Sequence, residues 1–156
     1  MEVFAKGLRN TFGLAMSAKG YLFASDNDAQ SGEVANLGDK LLVARKGDDF
    51  GHPYARPGAP GVAPPILLSK FALGGITFSS SNALTQELRD SLYVVSYGEG
   101  RVLRYPLTAN GASVVKERVE PFAMVASATD MAAAPNGDFY VISYEKRTLH
   151  RIRLKR

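Results

Sequence analysis

Three groups of residues carry the chemistry open to this chain: Arg9-Asn10, an oxygen-rich run around Asp26-Asn27-Asp28, and two histidines. An arginine fork grips a carboxylate through two parallel hydrogen bonds, and the amide beside it both donates and accepts. The same pair also reads as a turn before a strand, since Asn is frequent in turns. The run Asp26-Asn27-Asp28 is followed by Gln30, Ser31, Glu33 and Asp39. Oxygen donors without cysteine suit calcium, which takes about 6 to 8 oxygens, backbone carbonyls among them. The spacing is not that of an EF-hand, and a solvated acidic loop has the same composition. His52, in Gly51-His52-Pro53-Tyr54, and His150, in a basic last strand, read as surface or packing residues. A catalytic base needs a partner within reach, and the sequence gives neither one, so no catalytic residue is assigned. Ser25, Ser96 and Ser143 recur at equivalent strand ends, which favours a structural role for them over a nucleophilic one. No nucleophile elbow, phosphate loop or dinucleotide fingerprint is present.

The elements that must position these groups repeat three times. Phe12 to Met16, a Lys19-Gly20 turn and Tyr21 to Ser25 form the first strand pair. Gly74 to Phe78 with Ser91 to Ser96 form the second, and Thr129 to Ala133 with Asp138 to Ser143, across Asn136-Gly137, the third. A further strand follows each pair: Lys40 to Ala44, Arg101 to Tyr105 and Leu149 to Leu154. Val114 to Val119 reads as a fourth, outer strand of the second unit. Short strands joined by Gly-bearing turns at this period predict antiparallel blades with extended loops. Glu2 to Ala5 resembles Glu120 to Ala123 and reads as an outer strand of another blade. The expectation is an all-β, β-propeller-type chain of about three four-stranded antiparallel blades, half of a six-bladed ring. It forms one partial domain over residues 1–156, with blades near 6–55, 70–120 and 125–156. The stretch from Gly47 to Pro65, rich in Pro and Gly, is a long loop that serves either as a rim or as a connector. Thr85 to Leu88 is the one helical turn expected.

Propellers use about four to eight blades, so three cannot close a ring. Two copies related by a two-fold axis would make six and bury both open blade faces. The expectation is therefore a homodimeric ring, or a missing N-terminal half that completes it. Composition is globular, with 46% apolar and 22% charged residues. No apolar run reaches the roughly 20 residues of a spanning helix, and no basic start leads into an apolar secretion core. The net charge of +4 comes from the segment 145–156, which holds six basic residues and one acid; without it the body is near neutral. No aromatic stacking platform accompanies those charges, so a solvated strand face is expected rather than a nucleic-acid site.

The runs Gly7-Leu8-Arg9-Asn10-Thr11-Phe12-Gly13-Leu14-Ala15, Ser25-Asp26-Asn27-Asp28, Gly38-Asp39 and Phe50-Gly51-His52-Pro53-Tyr54 resemble the soluble glucose/sorbosone dehydrogenases. Gly100 to Tyr105 and Ala134 to Val141 are similar to that family too. The resemblance covers nearly the whole chain but only the family's C-terminal half. It implies a six-bladed propeller, a small sugar substrate, pyrroloquinoline quinone and calcium, in a periplasmic or secreted setting. It assigns quinone contact to Arg9 and Asn10, and calcium contact to Asn27, Asp28, Ala29 and Asp39. Three departures accompany it. The family's catalytic histidine belongs to the half not represented here. Where the family has further cations for the quinone, this chain has Tyr97-Gly98-Glu99 and Ser127-Ala128-Thr129. Where an acidic pair is usual, it has Asp39-Lys40. The expected function is a sugar dehydrogenase-like module that is incomplete alone. A non-enzymatic binding propeller and a calcium-dependent lactonase-like hydrolase are the alternatives.

Overall fold

The structure, a computed structural model, describes residues 1–28 and 38–154. Strands β1 (Asn10–Met16), β2 (Leu22–Asn27), β3 (Asp39–Ala44) and β4 (Leu67–Ser69) form one antiparallel sheet in that order. Its first hairpin closes where Gly20 takes a φ of 81°, a left-handed turn that glycine adopts without a Cβ clash. The second sheet runs β5 (Leu73–Phe78), β6 (Ser91–Ser96), β7 (Arg101–Pro106), β8 (Glu120–Met124). The third contains β9 (Ala128–Ala133), β10 (Phe139–Ser143) and β11 (Thr148–Ile152), with β10 central. A single turn of helix, α1 (Gln86–Arg89), is capped by Thr85, whose hydroxyl accepts from Leu88 N.

The sheets stack as blades because their apolar faces have nowhere else to go. Every residue of β6 is buried, since both of its faces are covered. Leu92 and Val94 enter a core shared with Phe23, Leu41 and Val43 of the first sheet. Tyr93 and Val95 enter a second core with Met131, Phe139 and Val141 of the third. There Tyr93 meets Phe139 at 4.5 Å and Phe122 at 4.7 Å between ring centroids. The leading strands β1, β5 and β9 lie side by side with little between them. A Cβ on Gly74 would sit 2.2 Å from Thr129 O, and one on Gly13 would sit 2.8 Å from Ile76 N. Glycine is what lets these strands approach. The result is an all-β partial propeller of three blades, two with four strands and one with three among the described residues.

The outer strand of the second blade differs from the sequence reading. It is β8, not Val114 to Val119. Val114 makes one bridge to Leu107 and is buried in the first core, and Lys116–Arg118 is a 3-10 turn. Phe122 on β8 stacks on Tyr93 and Phe139, and that aromatic burial decides which segment pairs with β7. Residues 2–5 lie in no strand here; Phe4 O accepts from Gly47 N at 2.8 Å. The loop from Gly47 to Pro65 covers the outer side of the first blade. Its Phe50 is buried with Ala24, Leu42 and Ala44, and Ala5 and Leu8 pack beside it. Phe12, Leu14 and Met16 on β1 stay exposed, as do Ile142, Tyr144 and Leu149 of the third blade.

Candidate functional site

The expected chemistry gathers where β1 begins, β2 ends and β3 begins. Asp26 stands opposite Thr11 on one side and Lys40 on the other, and Asn10 stands opposite Asn27. Asp26 is fully buried, and its Oδ1 accepts from Arg9 N at 3.1 Å and from Thr11 Oγ1 at 3.0 Å. Its Oδ2 lies 3.2 Å from Lys40 Nζ, an ion-pair distance without hydrogen-bond alignment. Lys40 Nζ is also 3.6 Å from Asp28 Oδ2. Asp39 Oδ1 accepts from Asp28 N at 2.8 Å. Burial pushes the Asp39 carboxyl above its ordinary value; backbone donors at Asp28 and Leu73 pull it down, and the charges of Asp28 and Asp26 push it up.

Arg9 and Asn10 are exposed at the start of β1. Arg9 Nη1 donates to Asn27 O at 3.3 Å, so the guanidinium leans over the end of β2. The Asn27 amide is committed elsewhere: its Oδ1 accepts from Leu73 N at 3.0 Å and ties the first blade to the second. Ala29, with Gln30, Ser31 and Glu33, lies outside the described residues. Of the residues assigned to calcium, Asp28 and Asp39 are thus brought together. Two members of the cluster were not assigned roles by sequence, Asp26 as its buried centre and Lys40 as its cation. The signal for them was an acid and a base at facing positions one residue inside adjacent strands.

The set does not fit a divalent ion at Asp26 and Asp28. Calcium needs about 6 to 8 oxygens at about 2.3–2.6 Å, whereas these two carboxylates converge on an ammonium. Among the described residues no group of three or more His, Asp or Glu side chains is arranged to hold a metal. At the equivalent ends of the other blades, carboxylates stand where cations were expected. Ser96 Oγ donates to Glu99 Oε2 at 2.7 Å, and Glu99 is ion-paired with Arg101. Glu145 accepts from Ser127 Oγ at 2.7 Å and from Tyr97 OH at 3.3 Å. The charge of Glu145 raises the Tyr97 phenol above its usual range.

His52 donates its backbone N–H to Gly7 O at 3.0 Å, and the His150 ring contacts Thr148 Oγ1 at 2.8 Å on the exposed edge strand. The serines act as the repeat reading expects. Ser25 Oγ donates to Gly74 O at 2.7 Å and accepts from Gly13 N at 2.9 Å, and Ser143 Oγ donates to Ala126 O at 2.6 Å. Two clefts lie elsewhere among the described residues. One of about 560 Å³ lies between the β1–β2 turn and Arg89, and one of about 510 Å³ lies beside α1, Asp138 and Arg151. Neither touches the strand-end cluster.

No family model matches this chain, and no curated protein matches its sequence significantly. Its fold does have solved counterparts. The PQQ-bound aldose sugar dehydrogenase from Streptomyces coelicolor matches with a TM-score of 0.70 at 22% identity, covering 90% of this chain and 39% of that one. An oxidoreductase from Thermus thermophilus assigned as a glucose dehydrogenase matches at 0.73 and 27% identity, over 90% and 41%. A further glucose dehydrogenase matches at 0.80 and 21% identity, over 99% and 46%. These three are described as sugar or glucose dehydrogenases, and this chain spans less than half the length of each.

Proposed function

We propose that this chain is a propeller module of the sugar dehydrogenase type, which takes part in oxidising a sugar or aldose once a further half-ring completes it. The observation behind this reading is the stack of three blades that matches less than half of each counterpart. It leaves apolar side chains of the first and third blades exposed, together with the free edge of β11. A second set of three blades, from another copy or from a preceding half, covers both faces and gives a six-bladed ring.

In this reading Arg9 and Asn10 hold a carboxylate of the quinone at the mouth of the ring. The backbone of Arg9 is fixed by Asp26, and its guanidinium is steadied by Asn27 O, so the fork is aimed before the ligand arrives. When bound, the quinone supplies the two-electron acceptor for the sugar's hydride, and the protein supplies position and charge. Glu99 and Glu145 oppose further carboxylates on the same ligand. Two missing charge-assisted hydrogen bonds, at about 1.5–3 kcal/mol each, weaken quinone binding by about 10² to 10⁴.

The test is quinone titration followed by dye reduction with glucose, with and without calcium, alongside light scattering on a sizing column. A mass of twice 16.8 kDa, and quinone binding that Arg9→Ala abolishes, are the expected results. A monomer that binds no quinone would end the reading. The Glu99 and Glu145 positions favour a second one, a non-enzymatic propeller that binds neutral or cationic ligands at the same mouth. Failure of quinone to bind a well-formed dimer would select it.

A further inference from the structure

Lys40 retains only 2% of its exposure, yet it sits at the start of β3, one residue from the strand's end. An amine is not buried so completely unless its charge is met. Here Asp26 Oδ2 at 3.2 Å and Asp28 Oδ2 at 3.6 Å meet it. Three further donors reach the neighbouring carboxylates. Arg9 N and Thr11 Oγ1 occupy Asp26 Oδ1, and Asp39 Oδ1 takes the backbone N–H of Asp28. The segment before β1, the end of β2 and the start of β3 are therefore gathered on one positive charge. A bound dication organises carboxylate loops in the same way, but this cation is covalently attached to β3.

We propose that Lys40 is the built-in cation of this strand-end cluster, standing where a divalent ion would otherwise be needed and making the cluster independent of metal. The inference rests on reading these strand ends as the functional rim, but not on quinone chemistry. A dication entering between Asp26 and Asp28 would meet a buried ammonium. Replacing that ammonium with a neutral group leaves the negative charge of the same carboxylates without this cation. Lys40 is a positioning residue: it fixes Asp26, and through Asp26 the backbone of Arg9.

The experiment compares thermal unfolding of the full chain and its variants in EDTA and in millimolar calcium, with tyrosine-sensitised terbium luminescence as a direct binding readout. The native chain is expected to unfold at the same midpoint in both solutions and to bind no terbium at the cluster. Lys40→Gln is expected to lose several degrees in EDTA, to recover them in calcium and to gain a terbium signal. Lys40→Arg should behave as the native chain does. A calcium-raised midpoint for the native chain overturns the proposal. So does a Lys40→Gln protein as stable in EDTA as the native chain, or one whose loss calcium fails to restore. If Lys40→Gln does not fold, the native chain's calcium and terbium titrations decide. None of these readouts involves quinone, so loss of the dehydrogenase reading and loss of this inference are separately visible.

Discussion

Replacing Ser25 with alanine removes a single oxygen and tests how the first two blades are joined. That oxygen is fully buried; it donates to Gly74 O at 2.7 Å and accepts from Gly13 N at 2.9 Å. Both partners are backbone groups of strands packed too closely for a side chain to intervene. The space left by one hydroxyl does not hold a water molecule, so the N–H and the C=O are orphaned together. Each unsatisfied buried group costs about 1–3 kcal/mol, which places Ser25→Ala at about 2–6 kcal/mol. That is a large share of the roughly 5–15 kcal/mol that holds a domain folded. With a urea slope of about 2 kcal/mol/M, the unfolding midpoint falls by about 1–3 M while the slope stays constant. Ser143→Ala, which loses one bond to Ala126 O, should show about half the effect. A midpoint for Ser25→Ala within about 0.3 M of the native chain would refute the argument that this hydroxyl staples the blades.

Three other outcomes follow from the same geometry. Gly74→Ala places a Cβ 2.2 Å from Thr129 O, and the blades must part; a loss of about 1–3 kcal/mol in urea is expected, and a neutral substitution would contradict the close approach. Burial alone would raise the Asp138 carboxyl, but hydrogen bonds from Arg151 and Asn136 and the charges of Arg151 and Arg153 outweigh it and hold it below its ordinary 3.8. Its stabilising effect is therefore complete above that value and disappears as pH falls through the lower, folded value; an acid titration of unfolding that Asp138→Asn does not flatten would count against it. Burial pushes the Tyr93 phenol up to about 12, with Arg104 opposing and Glu120 adding to the shift. Stability is expected to decline as pH rises from 10.0 towards that value, and Tyr93→Phe should remove a late-titrating phenol from the ultraviolet absorbance.

The strands that carry the blades were legible because their signals are local. Phe12 to Met16 and Tyr21 to Ser25 are joined by a glycine turn, and they pair as expected, Leu14 against Ala24 and Ala15 against Phe23. The outer strands were harder because tertiary packing chooses them. Val114 and Val115 have the higher strand propensity, yet Phe122 brings the aromatic ring that fills the second core. β4 is three residues long and carries no periodic signal. At the site, the grouping of Arg9, Asn10, Asp26 and Asp28 followed from their shared position at strand ends. The role of Lys40 did not, because a lysine beside an aspartate on a strand reads as surface charge until cross-strand register puts it opposite Asp26. The long loop also hid its purpose: Phe50 is one apolar residue among prolines and glycines, and only the open side of the first blade explains its burial.

Where β1, β5 and β9 meet, the partition between blades at Gly13 and Gly74 is peptide against peptide. Beyond the Ser25 hydroxyl and Val95 beside it, such a seam has few rotamers to repack, so it passes on little of a ligand-induced rearrangement piece by piece. News of an occupant at one blade's mouth must travel to the next as a whole-body tilt, or through polar tethers such as the Asn27 amide on Leu73 N. Cutting that tether, with the seam left intact, would leave neighbouring mouths to report to one another chiefly by tilting whole.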